Sequence, residues 1–217
     1  MSGPRWLYLH GFASGPRSKK GVALAQHYAA RGVALELLDL RRPSLEHLRL
    51  SAMKAELTRA LGGPRDRSVV FGSSLGGLTA CRVAEEDPRI CALVLLAPAF
   101  RIAERWRARL GETAWSRWRS DDAMPITDFT TGQPTTVDFG FIEELGRLDA
   151  GWPDVRVPTL IVHGVQDDTV DVELSRTWAK GKRHVKLIEV GDGHELTASL
   201  PRIISEADRF LAPFLGG

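Results

Sequence analysis

The feature that most constrains this chain is the run Ser68-Val69-Val70-Phe71-Gly72-Ser73-Ser74-Leu75-Gly76-Gly77. A β-branched and aromatic stretch ends in G-S-S-L-G-G, and a helix is expected to follow over Leu78 to Glu86. The pattern fits G-x-S-x-G, in which the serine sits at the tip of a tight strand-to-helix turn. Such a turn is strained, so Gly72 and Gly76 occupy positions where a side chain would clash. It would push the Ser74 hydroxyl into a cleft beside a helix N-terminus. The N–H of Leu75 would then face the place where charge develops on an attacked carbonyl oxygen.

Strands and helices alternate along the rest of the chain. Trp6 to Leu9, Val33 to Leu38, Ser68 to Phe71, Ala92 to Leu96, Thr159 to His163 and Val185 to Val190 read as strands. Helices are expected from Ser18 to Arg31, from Ser44 to about Leu61, from Val172 to Lys180 and over Pro201 to Phe214. Six strands with helices between them imply an α/β protein with a mostly parallel, doubly wound sheet and helices on both faces. The rhythm breaks between Phe100 and Trp152, where four of the six tryptophans lie: Trp106, Trp115, Trp118 and Trp152. This stretch begins helical. It then alternates over Ile126 to Thr130 and Thr135 to Phe139 around Gly132-Gln133-Pro134, as a hairpin would. About 50 residues make a marginal core alone, so residues 101–152 are expected to be an insertion within a single domain spanning 1–217.

Composition closes off several function classes. The chain has 29 basic and 27 acidic residues, a net charge of +2, which argues against a nucleic-acid footprint. No apolar run reaches ~18 residues, so no membrane span is expected. The N-terminus passes almost at once into a strand-like run, and no signal peptide is expected. Cys81 and Cys91 read as buried free thiols, consistent with a cytoplasmic location. No H-E-x-x-H or paired ligand spacing appears, so neither a metal nor any other cofactor is expected.

A serine hydroxyl needs a base, and the base an orienting acid. On a sheet of this kind the order along the chain is serine, acid, histidine. His10, His27 and His47 precede Ser74, and His163 precedes any acid loop. His184 lies in the charged stretch Lys182-Arg183-His184-Val185-Lys186. His194 follows the last strand in the glycine loop Gly191-Asp192-Gly193-His194, at the strand edge where catalytic groups gather. It is the expected base. Asp171 is placed to cap the next helix, which leaves Asp167 or Asp168 as the acid. A second oxyanion donor is expected in the loop after the first strand, from the backbone N–H of Phe12, with His10 ordering that loop.

Leu9-His10-Gly11-Phe12, the G-S-S-L-G-G turn, His163-Gly164-Val165-Gln166-Asp167-Asp168-Thr169-Val170 and Gly193-His194 together resemble the α/β-hydrolase superfamily over nearly the whole chain. Within it the chain is similar to small bacterial serine esterases and to depalmitoylase-type thioesterases. The resemblance implies that Asp167, at the acid position of H-G-x-x-D-x-x-V, is the triad acid. It implies that the superfamily's first two strands are absent, and that residues 101–152 occupy its lid position. It further implies a serine hydrolase that cleaves a small-molecule carboxylic ester or thioester through an acyl-enzyme. Ser74, His194 and Asp167 would form the triad, with Phe12 and Leu75 as oxyanion donors. The alternatives are an acyltransferase or perhydrolase, or a non-catalytic receptor on the same scaffold.

Overall fold

The computed structural model describes residues 3–215. Six strands form one parallel sheet: β1 (Arg5–Leu9), β2 (Leu35–Leu38), β3 (Ser68–Ser73), β4 (Ile90–Leu96), β7 (Thr159–Gly164) and β8 (Val185–Val190). Their spatial order is β2-β1-β3-β4-β7-β8. The helices are α1 (Lys19–Ala29), α2 (Leu50–Ala60), α3 (Leu75–Ala84), α4 (Ile102–Asp121), α5 (Phe139–Leu148), α6 (Val172–Ala179) and α7 (Leu200–Leu211). A separate antiparallel hairpin joins β5 (Met124–Thr127) to β6 (Pro134–Val137). None of the described helices is long and apolar enough to cross a membrane.

The core follows from the two-residue period of the strands. Leu7, Leu9, Val70, Leu93, Leu95 and Ile161 project to one face, into a cluster with residues of α2, α3 and α6. Their neighbours Trp6, Tyr8, Val69, Phe71, Val94 and Val162 project to the other, against Leu24, Tyr28, Ile203 and Ala207 of α1 and α7. Strands buried on both faces have no polar alternation, and β3, β4 and β7 are buried throughout, as parallel sheets require. Cys81 and Cys91 are buried and unpaired.

Local differences from the sequence reading have physical causes. The second helix starts at Leu50 rather than near Ser44. The Arg49 N–H donates to the Arg42 carbonyl at 3.1 Å, closing residues 42–49 into a loop. Leu45 and Leu48 are buried from that loop, so their spacing imitates a helix face. Helix α5 has no counterpart in the sequence reading. Asp138 caps it by accepting from the Phe141 N–H at 3.1 Å, and Phe141, Ile142 and Leu145 are its buried face. The elbow helix begins at Leu75, immediately after the serine.

Asp149, at the C-terminus of α5, ties the stretch after β4 to the elbow helix. Its Oδ1 accepts from Nε and Nη2 of Arg82 at 3.1 and 2.8 Å, while its buried Oδ2 has no partner among the described residues. Burial is the larger effect and pushes its pKa up to about 6, against the pull of Arg82. A carboxyl with a raised folded-state pKa adds stability below its unfolded value, and loses that contribution as pH rises through the folded one. Asp149→Asn, which mimics the protonated form, should therefore match the wild type in thermal midpoint near pH 3, below the unfolded carboxyl value of 3.8. At pH 7.5 it should exceed the wild type by a few degrees, as scanning calorimetry at the two pH values would register.

Candidate active site

The turn at the end of β3 has the geometry its glycines imply. Ser74 adopts φ 52° and ψ −117°, a sparsely populated conformation that costs about 1–3 kcal/mol for a residue with a side chain. Its N–H donates to the Leu96 carbonyl at 2.9 Å, and its carbonyl accepts from Gly77 and Ala99 at 2.9 and 3.0 Å. These bonds to β4 and α3 hold the strain in place. A Cβ on Gly72 would sit 2.6 Å from the Gly76 oxygen, and one on Gly76 would sit 2.5 Å from the His10 oxygen. Strand β3 at Gly72, and the end of strand β1 at Gly76, can approach helix α3 so closely only without those side chains.

Ser74 stands at the C-terminal edge of the sheet, as do the loops after β1, β7 and β8. The sheet order reverses between β1 and β3, and the crevice at such a point is where open α/β sheets take ligands. The Ser74 hydroxyl lies 3.1 Å from His194 Nε2, and His194 Nδ1 lies 2.7 Å from Asp167 Oδ2. One consistent arrangement has Ser74 donating to Nε2 and Nδ1–H donating to the carboxylate. The Asp167 side chain is fully buried. Its Oδ1 accepts from the N–H groups of Thr169 and Val170 at 2.9 and 2.7 Å. Burial alone would raise its pKa. Hydrogen bonds from His163, His194 and the Val170 N–H outweigh that and hold the carboxyl well below the usual carboxylate range.

The neighbouring acids are accounted for otherwise. Asp168 is exposed and accepts from the Thr169 hydroxyl at 3.1 Å. Asp171 caps α6, accepting from the Glu173 N–H at 2.9 Å. The remaining histidines are placed away from Ser74. His27 meets Asp208, His47 meets Asp138, and His184 donates to the Val155 carbonyl. His10 orders the loop after β1: its Nε2 accepts from the Leu40 N–H at 3.0 Å and its Nδ1 donates to the Gly11 carbonyl at 2.9 Å. Burial lowers its pKa, which suits this neutral tautomer.

His163 is a residue that elimination by chain order overlooks. It cannot reach Ser74, yet its Nε2 lies 3.2 Å from Asp167 Oδ2 and donates to the Val170 carbonyl at 2.8 Å, while Nδ1 meets the Ser175 hydroxyl at 2.7 Å. It therefore lies against the same carboxylate oxygen as His194. The available signal was its own place in the H-G-x-x-D motif.

The N–H groups of Phe12 and Leu75 donate no hydrogen bond among the described residues. That of Leu75 is the first of α3, where no intrahelical acceptor exists. The Phe12 ring stacks on Phe141 at 5.4 Å and meets Trp106 edge-on at 5.0 Å, so aromatic residues of segment 101–152 lie against the loop after β1. A cavity of about 300 Å³ lined by Trp106, Arg105, Arg109, Asp167 and Thr169 adjoins the acid turn. A larger one, about 540 Å³, lies between α4 and α5 and touches none of the triad candidates; the smaller one is lined by Asp167. Trp115 and Trp118 are 8 % and 2 % exposed, and Trp118 Nε1 donates to the Val137 carbonyl at 2.9 Å. Trp118 packs the segment internally and Trp115, though mostly buried, also lines the larger cavity, whereas Trp106 is half-buried at the smaller one. No group of three or more metal-binding side chains occurs among the described residues.

The model of an uncharacterised protein family, UPF0227, matches residues 5–210. The chain belongs to that family. This UPF0227 member is similar in structure to alpha/beta hydrolase domain-containing protein 10 from mouse, with a TM-score of 0.80 and 18% identity, over 98% of this chain and 92% of the mouse one. It is similar also to Est1E from Butyrivibrio proteoclasticus in its ferulic acid-bound structure, with a TM-score of 0.79 and 24% identity, over 99% and 90% of the two chains. The esterase domain of a Rhodothermus marinus protein gives 0.68 and 19%, over 99% and 90%. No curated protein matches the sequence. The UPF0227 chain thus has the α/β-hydrolase fold.

Proposed function

We propose that this protein is a serine hydrolase that cleaves a carboxylic ester or thioester through an acyl-enzyme on Ser74. The observation that carries this reading is the unbroken chain Ser74 Oγ, His194 Nε2, His194 Nδ1, Asp167 Oδ2, with separations of 3.1 and 2.7 Å. His194 takes the Ser74 proton as the hydroxyl attacks the acyl carbonyl. Asp167 holds the imidazole in the right tautomer and stabilises the imidazolium. The free N–H groups of Phe12 and Leu75 receive the oxyanion. His194 then returns its proton to the leaving alcohol or thiol, and water, deprotonated by His194, releases the acid. The likeness to esterase folds supports the hydrolytic reading, as does the strain stored at Ser74. We read the chain as one domain acting on a small molecule in the cytoplasm, with residues 101–152 as a lid-like insertion. A fluorophosphonate probe tests the reading: it should attach once, and peptide mapping should find it on Ser74. Attachment at another residue would overturn the assignment.

Among the tryptophans of the insertion, Trp106 is the one positioned to form a wall of the acyl or leaving-group pocket. Each methylene buried against such a wall contributes roughly 0.8 kcal/mol, about fourfold in specificity. Trp106→Ala should therefore change kcat/KM unequally across a series of p-nitrophenyl esters of graded acyl length. Trp115→Ala and Trp118→Ala should instead lower thermal stability, because both rings are buried and neither lines the cavity beside Asp167. A uniform loss across the ester series for Trp106→Ala would remove it from the pocket.

A further inference from the structure

We propose that Arg105 is a positioning residue for the triad acid, so that the insertion braces the reacting groups as well as covering them. The inference rests on the triad reading above. Arg105 lies near the start of α4 and is half-buried. Its Nε donates to the Phe100 carbonyl at 3.0 Å and its Nη1 to the Thr169 carbonyl at 2.6 Å. Phe100 belongs to the loop after β4. Thr169 belongs to the turn whose N–H groups hold Asp167 Oδ1. One planar guanidinium therefore spans from the loop after β4 to the acid turn.

The use made of this arginine is unusual within the chain. Arg49, Arg82, Arg89 and Arg176 each grip a carboxylate. Arg105 has no carboxylate within ion-pair distance among the described residues and spends its fork on two main-chain oxygens. A half-buried guanidinium without a carboxylate is costly to hold. The cost is understandable where the fixed fork sets the separation of two loops. The adjacent residue makes the same helical segment reach the other half of the site, since the Trp106 ring lies against Phe12. That segment is short and bounded, by Arg101 in the left-handed conformation and by the break at Gly111, φ 72°. It can sit on the two catalytic loops without following the rest of α4.

The test is a double-mutant cycle with steady-state kinetics on a p-nitrophenyl ester, run on wild type, Arg105→Ala, Arg105→Lys, Asp167→Asn and the combinations. Arg105→Ala should lower kcat about 10- to 100-fold, the scale of a small misplacement of a catalytic group, with KM changed less than about threefold. Arg105→Lys keeps the charge and can reach only one carbonyl at a time, so its loss should be intermediate. With Asp167→Asn already present, the effect of Arg105→Ala should shrink below about threefold, because there is no triad carboxylate left to position. An undiminished effect in that background, or a wild-type kcat for Arg105→Ala, would overturn the proposal. If Arg105→Ala does not fold, the Arg105→Lys cycle gives the same decision. Probe labelling of the wild type that survives Ser74→Ala would overturn the triad reading itself. With labelling dependent on Ser74, an additive cycle overturns only the role of Arg105.

Discussion

Ser74→Ala is expected to lower kcat on a p-nitrophenyl ester by about 10⁵-fold or more and to abolish fluorophosphonate labelling. The size of the effect follows from covalent catalysis. Without the hydroxyl no acyl-enzyme forms, and only substrate binding and the free N–H groups of Phe12 and Leu75 remain to favour direct attack by water. The variant should fold, since alanine can tolerate φ near 52° about as well as serine does and the hydroxyl makes no contact other than His194. The neighbour supplies the control. Ser73 is the last residue of β3 and is buried, 3 % exposed. Ser73→Ala should still label and should keep most of its activity. If Ser73→Ala were the variant that lost labelling, the elbow would have to be shifted by one residue and the geometry above abandoned.

Asp167→Asn is expected to lower kcat by about 10³- to 10⁴-fold, whereas Asp168→Asn should change it by less than about threefold. Asparagine fills the same space, but its amide cannot stabilise the imidazolium, and it can present an N–H to His194 Nδ1 and so favour the wrong tautomer. Asp168 has its carboxylate in solvent, engaged by the Thr169 hydroxyl. The pH profile has a definite sign. The pKa of Asp167 is held well below the usual carboxylate range, so this group stays ionised over any working pH and contributes no limb to the profile. The depressed carboxyl also stabilises the fold at neutral pH, a contribution lost only as pH falls below the ordinary carboxylate range. Denaturant titrations of wild type and Asp167→Asn at pH 7 and pH 3 would measure it: the wild type's advantage should be full at pH 7 and largely retained at pH 3, since its loss is complete only below the depressed folded-state value.

How much of this was legible in the sequence depends on how local each signal is. The strand periods, the elbow at Ser74 and the glycine loop carrying His194 depend on neighbours a few residues away, and the structure has each of them at the expected place. Asp167 and Asp168 are adjacent and chemically alike, so spacing alone could not separate them. Geometry does, since the carboxylate that faces the imidazole is also the one that the Thr169 and Val170 N–H groups can reach. The helix expected from Ser44 was misread because Leu45 and Leu48 are buried by a loop, which produces helical spacing without a helix. Helix α5 went unread because its cap, Asp138, sits at the end of an alternating run that the hairpin had already claimed. His163 and Arg105 were beyond reach for a different reason. Their partners lie on turns brought together by the sheet, and Arg105 speaks to carbonyls, which leave no trace in side-chain identity.

The residues of the proposed triad hang from strands of unequal security. Ser74 ends β3, a central strand hydrogen-bonded on both sides, while the loop bearing His194 follows β8, which pairs with β7 alone and is only half-buried. Strands at the rim of a sheet open at lower free energy than those in its middle. When the protein softens under heat or denaturant, the loop of His194 therefore departs before Ser74 does. Under the proposed reading, turnover becomes a sentinel of one border of the molecule and fades while most of the sheet is still closed.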